Sequence, residues 1–162
     1  MNDEAGKTEL RLRTVRDHLG AAFGPTAWET VAQDRIDLFA RASGDTHWIH
    51  TDPERAARNA PFGGTLAHGF FTLSQIVPRL HDVIAVPDAA SWLNYGLEAV
   101  RFPAPVRVGA RIRYRFTLED ATPRGAGILL RFSCTAEIED GARPAMTATF
   151  LSVAFPCEVA AD

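Results

Sequence analysis

The sequence predicts an α+β domain in which an antiparallel sheet curls around one buried helix. From residue 92 onward, apolar and polar residues alternate in successive runs, which is typical of half-buried antiparallel strands. Before them, the segment from about Leu66 to Val77 is apolar on most sides, and Pro78 is expected to end its regular part. A helix without a polar face fits best where a sheet wraps around it.

The first thirty residues predict two short elements. Residues 8–19 carry apolar side chains among charged ones and predict a modest amphipathic helix, which Gly20 ends. Residues 28–31 predict a short strand.

Two further helices flank a loop rich in reactive side chains. Helical spacing of apolar residues starts at Gln33, and Gly44 supplies a stop. Residues 52–58 predict a short helix with Asp52 as its N-cap. The loop between them therefore begins at Asp45, directly after a helix end.

Four strands are predicted in the second half, at residues 92–102, 111–119, 130–138 and 147–155. Alternation is strict in the second of them, the third and fourth alternate in a similar manner, and the first is a further strand candidate. Turn-forming residues separate the last three strands from one another and from the first. Strands in this order can pair as a meander that buries one face. The expected inward sets are Ile112, Tyr114, Phe116 and Leu118; Leu130, Phe132, Cys134, Ala136 and Ile138; and Thr147, Thr149, Leu151, Val153 and Phe155.

Composition excludes several classes of protein. At 162 residues the chain fits one domain, 1–162 with a core at about 10–155, and can bury a core without metal or disulfide staples. A net charge of −3 gives no support for nucleic-acid binding. Two cysteines, Cys134 and Cys157, do not make a disulfide framework and are expected to be reduced. With no signal-peptide pattern and no membrane-length apolar run, the expectation is a cytoplasmic protein without a membrane partner.

Reactive side chains concentrate in the middle of the chain. Asp45, His47, His50 and His68 lie within 24 positions, from 45 to 68 inclusive. A carboxylate and an imidazole form a workable acid–base pair. The five-residue step from Asp45 to His50 does not match a helical face, so the two meet only across a compact loop.

Each residue also has a simpler interpretation. Asp45 can cap a turn, His50 can be an ordinary hydrogen-bonded histidine, and His68 before a buried helix is more often structural than catalytic. A metal bound by His47, His50 and Asp45 lacks a supporting cysteine or second layer of ligands, so no metal is expected. Gly69 can offer an unobstructed backbone N–H to an oxygen that gains negative charge, or it can permit close packing.

The residues around these positions resemble a known family. The stretch from Phe39 to Ala56, with Gly-Asp45 and His50, resembles the hydratase-2 motif of the MaoC-like (R)-specific enoyl-CoA hydratases. Residues 63–69, with Ala-His-Gly69, are similar to the start of that family's central helix. Residues 94–97 and 100–109, the latter with Arg-Phe-Pro-Ala-Pro, are similar to its nodulation-protein-N-like branch. The resemblance extends from about Leu10 to Phe155.

The resemblance implies a hot-dog fold, an antiparallel sheet wrapped around a long central helix, and a homodimer. It implies that Asp45 and His50 hold the water that adds across the double bond of a trans-2-enoyl-CoA. It also implies that the Gly69 amide receives the thioester oxygen, with no cofactor beyond the coenzyme A of the substrate. Where the wider family has asparagine, this chain has His47, which we expect to support the site.

Two other functions are compatible with this fold, although the Asp45 and His50 pattern argues against the first of them. A hot-dog thioesterase would hydrolyse the thioester, and a non-catalytic subunit would only bind acyl thioesters. Coenzyme A also requires positive charge, for which Arg101 and Arg107 are better placed than Arg111, Arg113 and Arg115, which we expect to solvate the outer sheet face. The sequence does not indicate the acyl chain length or which residue takes the proton of water.

Overall fold

The computed structural model describes residues 6–59 and 61–157. Three antiparallel strands form the middle of a six-stranded sheet in the order β2-β6-β7-β8-β5, and β3 pairs with β6 beside β2. A separate parallel pair joins β1 and β4. The strands are β1 (Thr8–Glu9), β2 (Ala22–Phe23), β3 (Glu29–Thr30), β4 (Ile84–Ala85), β5 (Ala89–Arg101), β6 (Arg111–Arg124), β7 (Gly127–Ile138) and β8 (Met146–Pro156).

Six helical segments accompany the sheet among the described residues. They are a 3₁₀ helix (Leu12–His18), α1 (Gln33–Ser43), α2 (Trp48–Thr51), α3 (Pro53–Asn59), α4 (Gly69–Ser74) and α5 (Ile76–Val83). The N-terminal helix is thus present but is 3₁₀ and shorter than residues 8–19. No helix among the described residues is long and apolar enough to cross a membrane.

The predicted meander is correct for only three of its four strands. β6, β7 and β8 pair in succession, whereas β5 leaves β6 and pairs with β8 at the far side of the sheet. The hydrophobic pattern of a strand indicates which face is buried but not which strand lies next to it. The order of the strands in the sheet therefore could not be predicted from this pattern.

Burial confirms the inward face of β6 and corrects that of β8. Ile112, Tyr114, Phe116 and Leu118 are all buried, as predicted. In β8 the buried set is the opposite one, formed by Met146, Ala148, Phe150, Ser152 and Ala154, with Val153 in addition. Both faces of β8 carry apolar side chains, so alternation alone does not distinguish them.

The central helix is divided at Gln75 into α4 and α5. Proline has no N–H, and its ring crowds the carbonyl four residues earlier. For Pro78 that carbonyl belongs to Ser74, the last residue of α4. The interruption therefore precedes Pro78, and the helix resumes through Val83 rather than ending at Pro78.

The central helix packs against the sheet but keeps one side open. The Tyr114 hydroxyl donates a hydrogen bond to the Thr72 carbonyl at 2.9 Å and ties α4 to β6. Phe71, Ile76 and Leu80 enter the core. Phe70, in contrast, is 69% exposed. The prediction that this helix is buried on most sides is therefore wrong for the single chain.

The segment from α1 to α3 determines where the reactive loop lies. Gly44 caps α1 in the left-handed conformation with φ 79°, which glycine adopts without strain. The chain then reverses and enters α2 at Trp48. At the far end, Asp52 accepts a hydrogen bond from the Arg55 amide at 2.9 Å, which confirms it as the cap of α3.

Candidate active site

Asp45, His50 and His68 meet at one point of the structure. One carboxylate oxygen of Asp45 and one ring nitrogen of each histidine all lie within 4.8 Å of one another. Asp45 lies in the loop after α1, His50 in α2, and His68 directly before α4. The fold therefore brings together the two residues expected from the sequence and adds a third that was expected to be structural.

The ring of His50 has a defined tautomer. Its Nδ1 lies 2.7 Å from the carbonyl oxygen of Leu66, and a carbonyl only accepts hydrogen bonds, so Nδ1 carries the proton. In the neutral ring, Nε2 then has a free lone pair. Burial is the main influence that lowers the pKa of His50, which the Leu66 carbonyl and Asp45 partly oppose. His50 is thus held as a neutral acceptor of protons.

His68 joins the other two residues. Its Nε2 donates to the backbone oxygen of Asp45 at 2.9 Å and lies 3.9 Å from the Asp45 carboxylate. Its ring stacks on that of His50, with centroids 3.7 Å apart and planes at 25°. His68 is 3% exposed, whereas Asp45 is 57% exposed, so the site is closed on one side and open on the other.

His47 lies at the edge of the cluster. It is exposed and caps α2, where its Nδ1 accepts a hydrogen bond from the Ile49 amide at 3.4 Å. Its own amide donates to the Asp45 carboxylate, also at 3.4 Å, and its ring centroid is 6.5 Å from that of His50. These contacts place His47 around the site rather than in its centre.

Gln33 and Thr65 support the site and were missed by the sequence analysis. Gln33, at the start of α1, donates through Nε2 to the backbone oxygen of His50 at 2.8 Å. Its Oε1 accepts a hydrogen bond from Thr65, a buried residue one position before Leu66. A polar residue at a helix start is common, so no sequence pattern identified this connection.

Gly69 begins α4 immediately after His68. The first N–H groups of a helix have no acceptor within it, so the Gly69 amide is free of the helix's own hydrogen bonds. A Cβ at this position would lie 3.1 Å from the ring of Phe102. Close packing against Phe102 thus accounts for part of the need for glycine.

An apolar groove of about 500 Å³ lies beside the cluster. Phe39 connects the two, because it lines the groove and its ring centroid is 5.0 Å from that of His68. A smaller cavity of about 280 Å³ reaches Gly69 and Phe102 from another side. The groove is lined by Phe39, Phe70, Leu73, Ser74, Ile76, Val77, Asn94, Tyr95, Gly96, Leu97 and Phe150.

Comparison with protein families identifies the chain. The model described as "MaoC like domain" matches residues 15–130, which is most of the sequence and contains the whole cluster. This chain belongs to the MaoC-like family. Its fold is the hot-dog fold of that family, as the sequence predicted.

Individual relatives agree with this assignment. The MaoC-like chain is 44% identical over 147 residues to nodulation protein N of Rhizobium leguminosarum bv. viciae, covering 90% of this chain and 91% of the relative. It is 47% identical over 131 residues to 3-hydroxyacyl-thioester dehydratase Z of Mycobacterium tuberculosis, covering 80% and 85%. Among solved structures, a MaoC-like dehydratase from Rhodospirillum rubrum superposes with a TM-score of 0.68 at 27% identity, covering 87% and 94%.

The arginines of this MaoC-like chain separate into two groups. Arg111 pairs with Glu139 at 2.7 Å, and Arg113 and Arg115 pair with Glu137 at 2.6 and 2.7 Å. They lie in β6, and Glu137 and Glu139 lie at or beside its neighbour β7, so their charges are matched across the sheet. Arg101 and Arg107 are exposed, and neither pairs with a carboxylate among the described residues.

The arrangement of the cluster suits proton transfer better than metal binding. Asp45, His50 and His68 together offer three atoms that could act as metal ligands. However, ring lone pairs lie in the ring plane, and the two imidazoles are stacked at 25°, so these lone pairs do not converge on one point. In addition, His50 Nδ1 and His68 Nε2 are already committed to backbone carbonyls.

Proposed function

We propose that this protein adds water to the double bond of a trans-2-enoyl-CoA to give (R)-3-hydroxyacyl-CoA, or catalyses the reverse dehydration. The observation that carries the proposal is the joint position of Asp45 and a His50 ring with a free Nε2. The dehydratase name of a relative 47% identical to this chain supports the same class of reaction.

His50 is the group that takes the proton of water. As its Nε2 accepts this proton, the water oxygen bonds to the β-carbon, and the double-bond electrons move toward the thioester oxygen. The Asp45 carboxylate accepts a hydrogen bond from the second hydrogen of the same water, which stays on the oxygen, and so orients the water. The imidazolium of His50 then returns a proton to the α-carbon, so that one water is added in total and both residues end as they began.

Gly69 is assigned to the thioester oxygen. During the addition this oxygen gains enolate character, and a backbone N–H aimed at it lowers the barrier. Gly69 follows His68 directly and so lies beside the acid–base pair. His47 orients Asp45 through its amide and helps to hold the start of α2.

The substrate's two ends use different surfaces. The apolar groove beside Phe39 receives the acyl chain, since it is the large apolar space next to the cluster. Arg101 and Arg107 attract the phosphates of coenzyme A, because their charge is not neutralised by a carboxylate among the described residues. No metal or further cofactor takes part.

The active assembly is a homodimer of one-domain chains. The groove is open on one side, and Phe70, Tyr95 and Leu97 expose apolar surface there. A second copy related by a two-fold axis would cover this surface and close the groove around an acyl chain.

Turnover of defined substrates tests the proposal. Pure protein is mixed with crotonyl-CoA and with a longer enoyl-CoA, and the loss of the conjugated thioester absorbance is followed. We expect Asp45→Asn and His50→Gln each to reduce kcat by on the order of 100-fold to 10,000-fold, the usual contribution of a positioned acid or base.

An aspartate and a histidine that lie next to each other elsewhere in the chain provide matched controls. Asp17→Asn and His18→Gln make the same changes within the 3₁₀ helix, outside the cluster, and should leave turnover unaltered. Unchanged turnover in both Asp45→Asn and His50→Gln would refute the mechanism. Release of free thiol with an intact enoyl group would instead indicate a thioesterase.

A further inference from the structure

His68 is an unusual buried histidine. The exposed fraction of its side chain is 3%, yet only one of its two ring nitrogens has a hydrogen-bond partner. Nε2 donates to the Asp45 backbone, while Nδ1 is buried without a partner among the described residues. Buried polar atoms are nearly always paired, so a histidine that served the core alone would be expected to satisfy both nitrogens.

The contacts of His68 connect the two reacting side chains. Through Nε2 it holds the main chain at Asp45, whose own side chain is exposed and otherwise loosely held. Through its ring face it lies against His50 at 3.7 Å between centroids. The His68 ring also packs on Phe39 of α1, with centroids 5.0 Å apart.

We propose that His68 is a positioning residue for hydration, which aligns Asp45 with His50 and keeps the His50 ring neutral between turnovers. The inference rests on the function proposed above. His68 itself contacts neither water nor substrate in this role, since its open nitrogen is buried.

The neutral state follows from the geometry of the stack. A second proton on His68 would place a donor at Nδ1, where the described residues offer no acceptor. Protons on both rings would place two positive charges 3.7 Å apart in a partly buried site. The stack therefore admits one additional proton at most, and His50 Nε2 is the position that faces the reaction.

Several groups act on His50 besides His68. Asp45 comes from the loop after α1, His47 from the cap of α2, and the Leu66 carbonyl from the segment before α4. Burial lowers the pKa of His50 most strongly; the Leu66 carbonyl raises it, His68 lowers it, Asp45 raises it and His47 lowers it. Removal of the His68 imidazole should therefore raise the pKa of His50.

Two variants separate the roles of His68. His68→Gln retains an amide N–H at the distance of Nε2 but loses the ring, whereas His68→Phe retains the ring and loses the donor. We expect kcat to fall about tenfold or more in His68→Phe and less in His68→Gln, with KM unaltered in both, because small displacements of a reacting group are costly. In both variants the acid limb of the kcat/KM profile should move to higher pH.

Titration by NMR tests the inference independently of turnover. Long-range ¹H–¹⁵N spectra of the wild-type protein should show His50 protonated at Nδ1 and His68 at Nε2, and the pKa of His50 should rise in both variants. An equal loss of rate at every pH, in variants with an unmoved His50 titration, would overturn the inference and leave a packing role only. If the wild type hydrates no enoyl-CoA, the proposed function fails, while the coupling of His50 to His68 is still measured.

Discussion

At the scale of single residues, the candidate site depends on loops more than on helical spacing. Asp45 and His50 are five positions apart. They meet because Gly44 ends α1 and the next helix, α2, begins three residues after Asp45. His68 comes from a segment 18 residues beyond His50 and is still in van der Waals contact with it. The sequence predicted that Asp45 and His50 meet, but it did not predict the stack of His68 on His50.

Gly69→Ala tests the smallest change at the site. The new Cβ would lie 3.1 Å from the Phe102 ring, which must move by a few tenths of an ångström. Because displacements of about 1 Å can cost on the order of 100-fold in rate, we expect kcat to fall about tenfold while thermal unfolding changes little. Gly64→Ala is the control, since its Cβ would meet only a Val108 methyl at 3.9 Å. Unchanged kcat in Gly69→Ala would contradict a role for this amide.

At the scale of elements, Gln33 holds α1, α2 and the segment before α4 together. It accepts from Thr65, which has no exposed surface, and donates to the His50 backbone. Gln33→Leu leaves both groups unpaired, which typically costs about 1–3 kcal/mol for a buried group, so the free energy of unfolding should decrease by that amount. Urea unfolding followed by circular dichroism measures the change.

A second substitution, at Thr65, separates the contribution of Gln33 to stability from its contribution to catalysis. In Gln33→Leu with Thr65→Val both partners become apolar, and paired replacement is often close to neutral, so part of the lost stability should return. The His50 carbonyl stays unpaired in the double variant, and kcat should remain low. A return of full activity together with stability would show that Gln33 does not position His50.

The elements themselves were largely predictable, whereas their arrangement was not. The strict alternation of β6 identified its buried face, because its outer positions carry arginine and glutamate. In β8 both faces carry apolar side chains and the wrong one was expected, since alternation alone does not distinguish two apolar faces. Pro78 correctly indicated an interruption of the central helix. The proline ring crowds the carbonyl of Ser74, so the helix is interrupted at Gln75 and not at Pro78 itself.

At the scale of the whole molecule, β5 leaves one edge of the sheet without a partner strand among the described residues. It is a thirteen-residue strand at the end of the sheet, and among the described residues only β8 pairs with it. Leu93, Tyr95 and Leu97 are all exposed along it. A long edge with apolar side chains is a template for pairing with another chain. Two copies joined through β5 would extend the sheet and cover the groove in one step.

If the proposed dimer forms through β5, charge on this strand should separate the two copies and remove activity together. Leu93→Lys places an ammonium where the side chain is now 57% exposed, and burying that charge in an interface is costly. We expect light scattering after size exclusion to report a monomer, and turnover of enoyl-CoA to fall because the groove is left open. Leu38→Lys, on α1 at a side chain 59% exposed, makes the same change away from β5 and should leave a fully active dimer. A Leu93→Lys protein that is still dimeric and active would exclude β5 as the interface, whereas an active monomer would show that one chain encloses its substrate alone.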